Sequence, residues 1–121
     1  MARGFRGSVE MKLVAMYNLK KKANLEEFKR WSREVDQKVT SGLPGYKRFD
    51  IFEVAALLDG SKPPYRYTEL NTPYKIIEFI EVESQEVLER SQSSPAMNRV
   101  MKEWSDFVDE SSVKILRVEQ I

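Results

Sequence analysis

The chain has 121 residues, with 20 Lys and Arg against 19 Asp and Glu, no Cys and no His, for a formal net charge of +1. That length is one domain's worth, and the balanced charge makes no case for nucleic acid, which calls for a basic excess on one face. Without Cys there is no disulfide, thiolate nucleophile or thiolate metal site; without His there is no haem on a proximal imidazole and no Ser-His-Asp triad.

Residues 1–10 carry Arg3 and Arg6 but no apolar core, so they read as a flexible lead rather than a signal peptide. Residues 11–121 are expected to form one domain. No apolar run approaches the roughly 20 residues that span a bilayer, so a cytoplasmic protein without a membrane partner is expected. Met11–Tyr17 (MKLVAMY) is short and apolar and reads as a strand, followed by a solvated Lys20-Lys21-Lys22 turn. Asn24 is a plausible N-cap, with Glu26 and Glu27 in a first turn where the helix dipole favours them. Leu25, Phe28, Ser32, Val35 and Val39 then recur at helical spacing, and Gly42 closes that helix before Pro44-Gly45.

Tyr46–Leu58 reads as one long aromatic-rich strand, and Asp59–Pro73 as a long loop of the kind that often covers a site. Tyr74–Val82 is a further strand, and Ser84–Ser91 a short helical turn. Ser94-Pro95 opens a second main helix, Ser as cap and Pro at the first position, with an apolar stripe from Met97 through Val108. Val113–Val118 closes the chain as a strand. The order β-α-β-β-α-β is that of the ferredoxin-like α+β folds: a four-stranded antiparallel sheet with two helices on one face. Several strands are apolar in both phases, as with Ile76, Ile80 and Val82 on one side and Ile77 and Phe79 on the other. A sheet apolar on both faces needs a second layer, which a second copy of the chain would supply.

Leu25–Val54, with Trp31, Val35-Asp36 and the Leu43-Pro44-Gly45 turn ahead of an aromatic strand, resembles the EthD and RedY/HapK-like members of the dimeric α/β-barrel superfamily. Ser94–Asp109 is similar to that superfamily's second helix, and the resemblance covers Met11 to the end. Asp rather than His at position 36 points to the RedY/HapK-like branch, whose members occur in pathways for pyrrole- and indole-derived pigments. The resemblance implies a homodimer with a small-molecule pocket, in a superfamily of cofactor-free monooxygenases, cyclases, decarboxylases and lyases. One departure is informative. Plant polyketide cyclases of the superfamily open the second helix with His-Pro-Ala-His, whereas this chain has Ser94-Pro95-Ala96-Met97. A thioether at Met97 does no acid/base work.

Candidate chemistry falls on few residues. Asp36 lies at the edge of the first helix's stripe, where half-burial would raise its pKa and make it a usable base; otherwise it is a surface carboxylate paired with Lys or Arg. Glu78 sits between Ile76 and Ile80 on one strand face and needs a partner if buried, for which Arg48 or Arg117 could serve, so it is either a general base or polar anchor in a pocket or part of an ion pair in a dimer interface. Tyr17 and Asn18 end the first strand, where a pocket mouth would lie and a phenol could donate to an oxyanion. Trp31, Trp104 and Met97 are core residues or the walls of an apolar cavity, and Tyr67 lies in the long loop. No metal-ligand spacing and no glycine-rich phosphate loop is present, so no metal and no cofactor is expected.

Three functions follow. The first is a cofactor-independent enzyme of secondary metabolism that acts by proton transfer on a small aromatic, pyrrole- or indole-like metabolite, giving cyclisation, elimination or decarboxylation. The second is a non-catalytic dimeric carrier of a hydrophobic metabolite. The third is a structural dimer with no pocket.

Overall fold

The computed structural model describes residues 10–69 and 72–121. Apart from Glu10, the expected N-terminal lead lies outside the described residues, as do Leu70 and Asn71 of the long loop. Strands β1 (Met11–Leu19), β2 (Tyr46–Glu53), β5 (Ile76–Val82) and β6 (Val108–Val118) form an antiparallel sheet in the order β2-β5-β1-β6. Strands β3 (Leu57–Asp59) and β4 (Arg66–Thr68) make a separate hairpin. Helices α1 (residues 25–41), α2 (Gln85–Gln92) and α3 (Pro95–Phe107) complete the ferredoxin-like α+β architecture.

The capping expected from sequence is present. Asn24 Oδ1 accepts from Glu27 N at 3.0 Å, and Ser94 Oγ accepts from Met97 N at 3.1 Å with Pro95 behind it. Helix α1 is not uniform: Leu25–Trp31 is α-helical, Ser32–Asp36 forms a π turn in which Gln37 N–H donates back to Ser32 O, and Gln37–Ser41 is α-helical again. The buried side chains of α1 are Phe28, Ser32, Asp36 and Thr40. Asp36 therefore occupies the centre of the buried face rather than the edge of a stripe through Val35 and Val39, because the widened turn changes the helical phase.

Three further boundaries differ from the periodicity. The expected strand Tyr46–Leu58 stops at Glu53, whose partner Ile76 is the first residue of β5; beyond it β2 has no strand to pair with. Leu57–Asp59 pairs with Arg66–Thr68 inside the expected loop instead. Ser84 caps a full eight-residue helix rather than a turn, its Oγ accepting from Val87 N at 3.2 Å. Strand β6 begins at Val108, directly after α3, because pairing with β1 carries the polar run Asp109–Ser112 into strand geometry.

Met11, Leu13, Ala15 and Tyr17 of β1 and Ile76, Glu78 and Val82 of β5 are buried. Two apolar clusters result. One gathers Tyr17, Phe28, Ile76 and Val108, and the other Met11, Leu13 and Val82. The other sheet face is apolar but open: Phe52, Phe79, Leu116 and Val118 are all exposed, and Phe52 packs edge-on to Phe79 at 5.6 Å.

Candidate functional site

Between the two apolar clusters lies a cavity of about 440 Å³. Its floor is the sheet, at Leu13, Ala15 and Ile80, and its far wall is α3, at Met97, Val100, Met101 and Trp104. Ala15 matters because a small residue in mid-sheet leaves the space that a Leu or Ile would fill. The cavity is mostly apolar, and its inner polar groups are Tyr17, Asp36, Thr40 and Glu78.

Sheet register explains how Tyr17 and Glu78 meet. Ala15 is paired with Glu78 and Tyr17 with Ile76, so Tyr17 is the diagonal neighbour of Glu78 on the same face, within reach of a long side chain. The Tyr17 hydroxyl donates to Glu78 Oε2. Its ring is fixed by edge contacts with Trp104 at 5.3 Å and Phe28 at 6.4 Å. Pairing between β1 and β6 slips between Met16 and Asn18, so Tyr17 also sits opposite an irregularity of the kind that re-aims side chains near sites. From α1, Thr40 Oγ1 donates to Asp36 Oδ1 at 3.1 Å, one turn along the same face.

The electrostatics follow from this burial. Asp36 is 4% exposed and Glu78 8%. Desolvation pushes the Asp36 carboxyl up to about 6, against the opposing hydrogen bond from Thr40. Desolvation also raises Glu78, to about 7; the nearby Asp36 charge adds to the rise and the Tyr17 hydrogen bond opposes it. Burial, then the Glu78 charge, pushes the Tyr17 phenol above its ordinary value, so it remains a donor. Two buried carboxyls with raised, unequal pKa values on one mostly apolar cavity can serve as base and acid near neutral pH. Among the described residues no group of three His, Cys, Asp or Glu is placed to hold a metal ion.

The structure thus gathers Tyr17, Asp36, Glu78, Met97 and Trp104 around one cavity and leaves the other candidates elsewhere. Arg48 points to the opposite sheet face, where it pairs with Asp50 and lies 5.7 Å from the Phe79 ring centre. The partner of Glu78 is therefore Tyr17, not an arginine: Arg48 is paired across β5 with Glu81, one residue out of phase with Glu78. Asn18 braces the chain instead, donating to Pro73 O and accepting from Lys75 N. Trp31 Nε1 donates to Glu103 at 2.8 Å, tying α1 to α3 away from the cavity wall. Tyr67 is 71% exposed on β4. Thr40 was missed, although its place one turn after Asp36 was a signal; Tyr46, Phe49 and Leu88 on the wall carry no such mark in sequence.

A sequence profile of the family described as REDY-like protein HapK matches residues 11–121. Among solved structures, HapK from Hahella chejuensis has a TM-score of 0.68 at 20% identity, covering 92% of this chain and 93% of that one. An EthD-family protein from Bacillus halodurans has a TM-score of 0.62 at 12% identity, covering 93% and 100%. A protein of unknown function from Thermobifida fusca, described as dimeric and ferredoxin-like, has a TM-score of 0.68 at 8% identity, covering 93% and 92%. No curated protein matches the chain significantly. At these identities the structural likenesses carry the fold, and the profile, spanning Met11 to Ile121, carries the family. The chain belongs to the REDY-like HapK family.

Proposed function

We propose that this protein is a cofactor-independent enzyme of secondary metabolism, working as a cytoplasmic homodimer, that moves a proton on a small aromatic, pyrrole- or indole-like molecule to drive cyclisation, elimination or decarboxylation. The observation that carries this reading is that Asp36 and Glu78 both line one mostly apolar cavity of about 440 Å³. The raised carboxyls, near 6 and near 7, put both groups within working range of neutral pH. Asp36 is the base, since it loses its proton first as pH rises. Glu78, held by Tyr17, anchors the ligand and returns the proton. The volume falls within the usual range of small-molecule sites, roughly 300–1,000 Å³, which argues against a structural dimer with no pocket. A dimer is supported by the open apolar sheet face and by relatives described as dimeric.

The carrier reading is favoured by one observation, the predominantly apolar wall. One experiment separates the two. Native mass spectrometry of freshly purified protein identifies a retained molecule, and turnover of that molecule is then followed with the parent and with Asp36→Asn. Catalysis with Asp36 as base predicts a rate loss of about 100-fold or more. An unchanged rate removes Asp36 from the chemistry, and binding without turnover by the parent makes the protein a carrier.

A further inference from the structure

Charge on the cavity wall is one-sided. The chain carries 20 Lys and Arg, yet among the described residues no Lys or Arg lines the cavity. The ionisable groups facing it are Asp36 from α1, Glu78 from β5, Glu89 from α2, Tyr17 from β1 and Tyr46 from β2; α3 and β6 contribute none. In a chain of near-neutral balance, this places two buried carboxylates and a third at the α2 rim around one apolar space.

Two oxygens at the inner end are uncommitted. Asp36 Oδ1 is taken by Thr40 and Glu78 Oε2 by Tyr17. Among the described residues, Asp36 Oδ2 and Glu78 Oε1 have no hydrogen-bond partner, while no polar side-chain atom shut off from all space lacks one. The two free oxygens therefore open onto the cavity, although both side chains are more than nine-tenths buried. A carboxylate oxygen held at the edge of an apolar space is satisfied by a donor, best by a charged one.

We propose that the cavity takes a largely apolar ligand bearing one protonated nitrogen, which seats its N–H on Asp36 Oδ2 and Glu78 Oε1 with its apolar body against Met97, Val100 and Trp104. This deepens, and rests on, the reading of the cavity as a small-molecule site. A ligand carboxylate or phosphate is rejected, because it would meet like charge with no Lys or Arg to pair with. The Trp104 ring adds an aromatic surface that favours a cation over a neutral group. A cation at this position also favours the ionised form of the more acidic carboxyl, so docking near neutral pH expels the proton that part of the Asp36 population still holds, while Glu78 keeps the proton it returns.

The test is isothermal calorimetry at pH 7 with three probes sharing one ring system: tryptamine, indole-3-ethanol and indole-3-acetate. Tryptamine is expected to bind at least about tenfold more tightly than indole-3-acetate, as for one desolvated charge contact, with indole-3-ethanol between them. Its apparent enthalpy should differ between phosphate and Tris buffers, reporting the released protons. In Asp36→Asn/Glu78→Gln the order should collapse. Equal binding of all three probes to the parent would overturn the charge preference and leave the small-molecule site standing, as would tighter binding of indole-3-acetate. Binding of none of them would overturn both readings. The parent measurement decides between these outcomes whether or not the double variant folds.

Discussion

Asp36 and Glu78 are held where ionisation is least favourable, and this has a thermodynamic signature independent of any substrate. Both carboxyls titrate higher in the folded chain, near 6 and near 7, than their ordinary values of 3.8 and 4.5. The folded state keeps these protons longer than the unfolded state. The stability so contributed is complete below the ordinary values and is lost as pH rises through 6 to 7. A rise of about two pH units in one carboxyl corresponds to roughly 3 kcal/mol. Asp36→Asn removes the ionisation while its amide oxygen can still accept from Thr40. The variant should match the parent in thermal denaturation at pH 4 and exceed it by about 2–3 kcal/mol at pH 8. A variant less stable than the parent at pH 8 would show that ionised Asp36 has a compensating partner. In activity, the base must be ionised and the acid protonated, so the rate should follow a bell with its maximum between about 6 and 7.

At the scale of elements, the cavity depends on where α2 is pinned. The Leu43-Pro44-Gly45 turn turns back under that helix, and Gly45 has φ +82°, a conformation that favours glycine. A Cβ at this position would lie 2.6 Å from Val87 Cγ1, and Gly45 O accepts from Glu83 N at 2.9 Å just before α2 begins. Gly45→Ala should therefore cost about 1–3 kcal/mol, from left-handed backbone strain and from overpacking against a β-branched side chain with little freedom to move. Urea denaturation of Gly45→Ala, Val87→Ala and the double variant checks this. The double variant should recover the steric part and keep the backbone part, whereas strictly additive losses would rule out the contact. Sequence made this turn legible as a turn, and the capping of α1 and α3 as caps, because Asn24, Ser94 and Gly45 act on their immediate neighbours. The π turn at Ser32–Asp36 had no such local mark, and it is what rotates Asp36 from the edge to the centre of the buried face.

At the scale of the whole molecule, the open sheet face is the surface on which the proposed homodimer rests. Phe52, Phe79, Leu116 and Val118 expose apolar surface on the face opposite the helices, and Arg48 lies over Phe79. A homodimer through this face would cover it. A charge at its centre would have to be buried twice, once per copy, at a cost of several kcal/mol. Phe79→Glu should accordingly shift the native mass from two chains of 14.2 kDa to one, while the cavity, on the other face of the sheet, stays intact. A parent protein that is already monomeric at micromolar concentration would refute the dimer.

What the sequence determined by itself was whatever depends on neighbours along the chain or on alternation: the order of the four main strands and the two main helices, the caps, the two-sided apolar strands and the α+β class. It also picked out Asp36, Glu78 and Tyr17 as unusual, since a carboxylate between Ile76 and Ile80 needs an explanation wherever it lies. Their union was decided only by tertiary structure. The register of β1 against β5 sets Tyr17 diagonal to Glu78, the π turn aims Asp36 inward, and Ala15 leaves the space between them. The register of β2 against β5 sends Arg48 to the far face, and among the described residues no Lys or Arg lines the cavity beside the carboxyls. Side chains separated by 61 residues, as Tyr17 and Glu78 are, meet because strands pair in one phase and not the next, and composition and local periodicity carry no information about that phase.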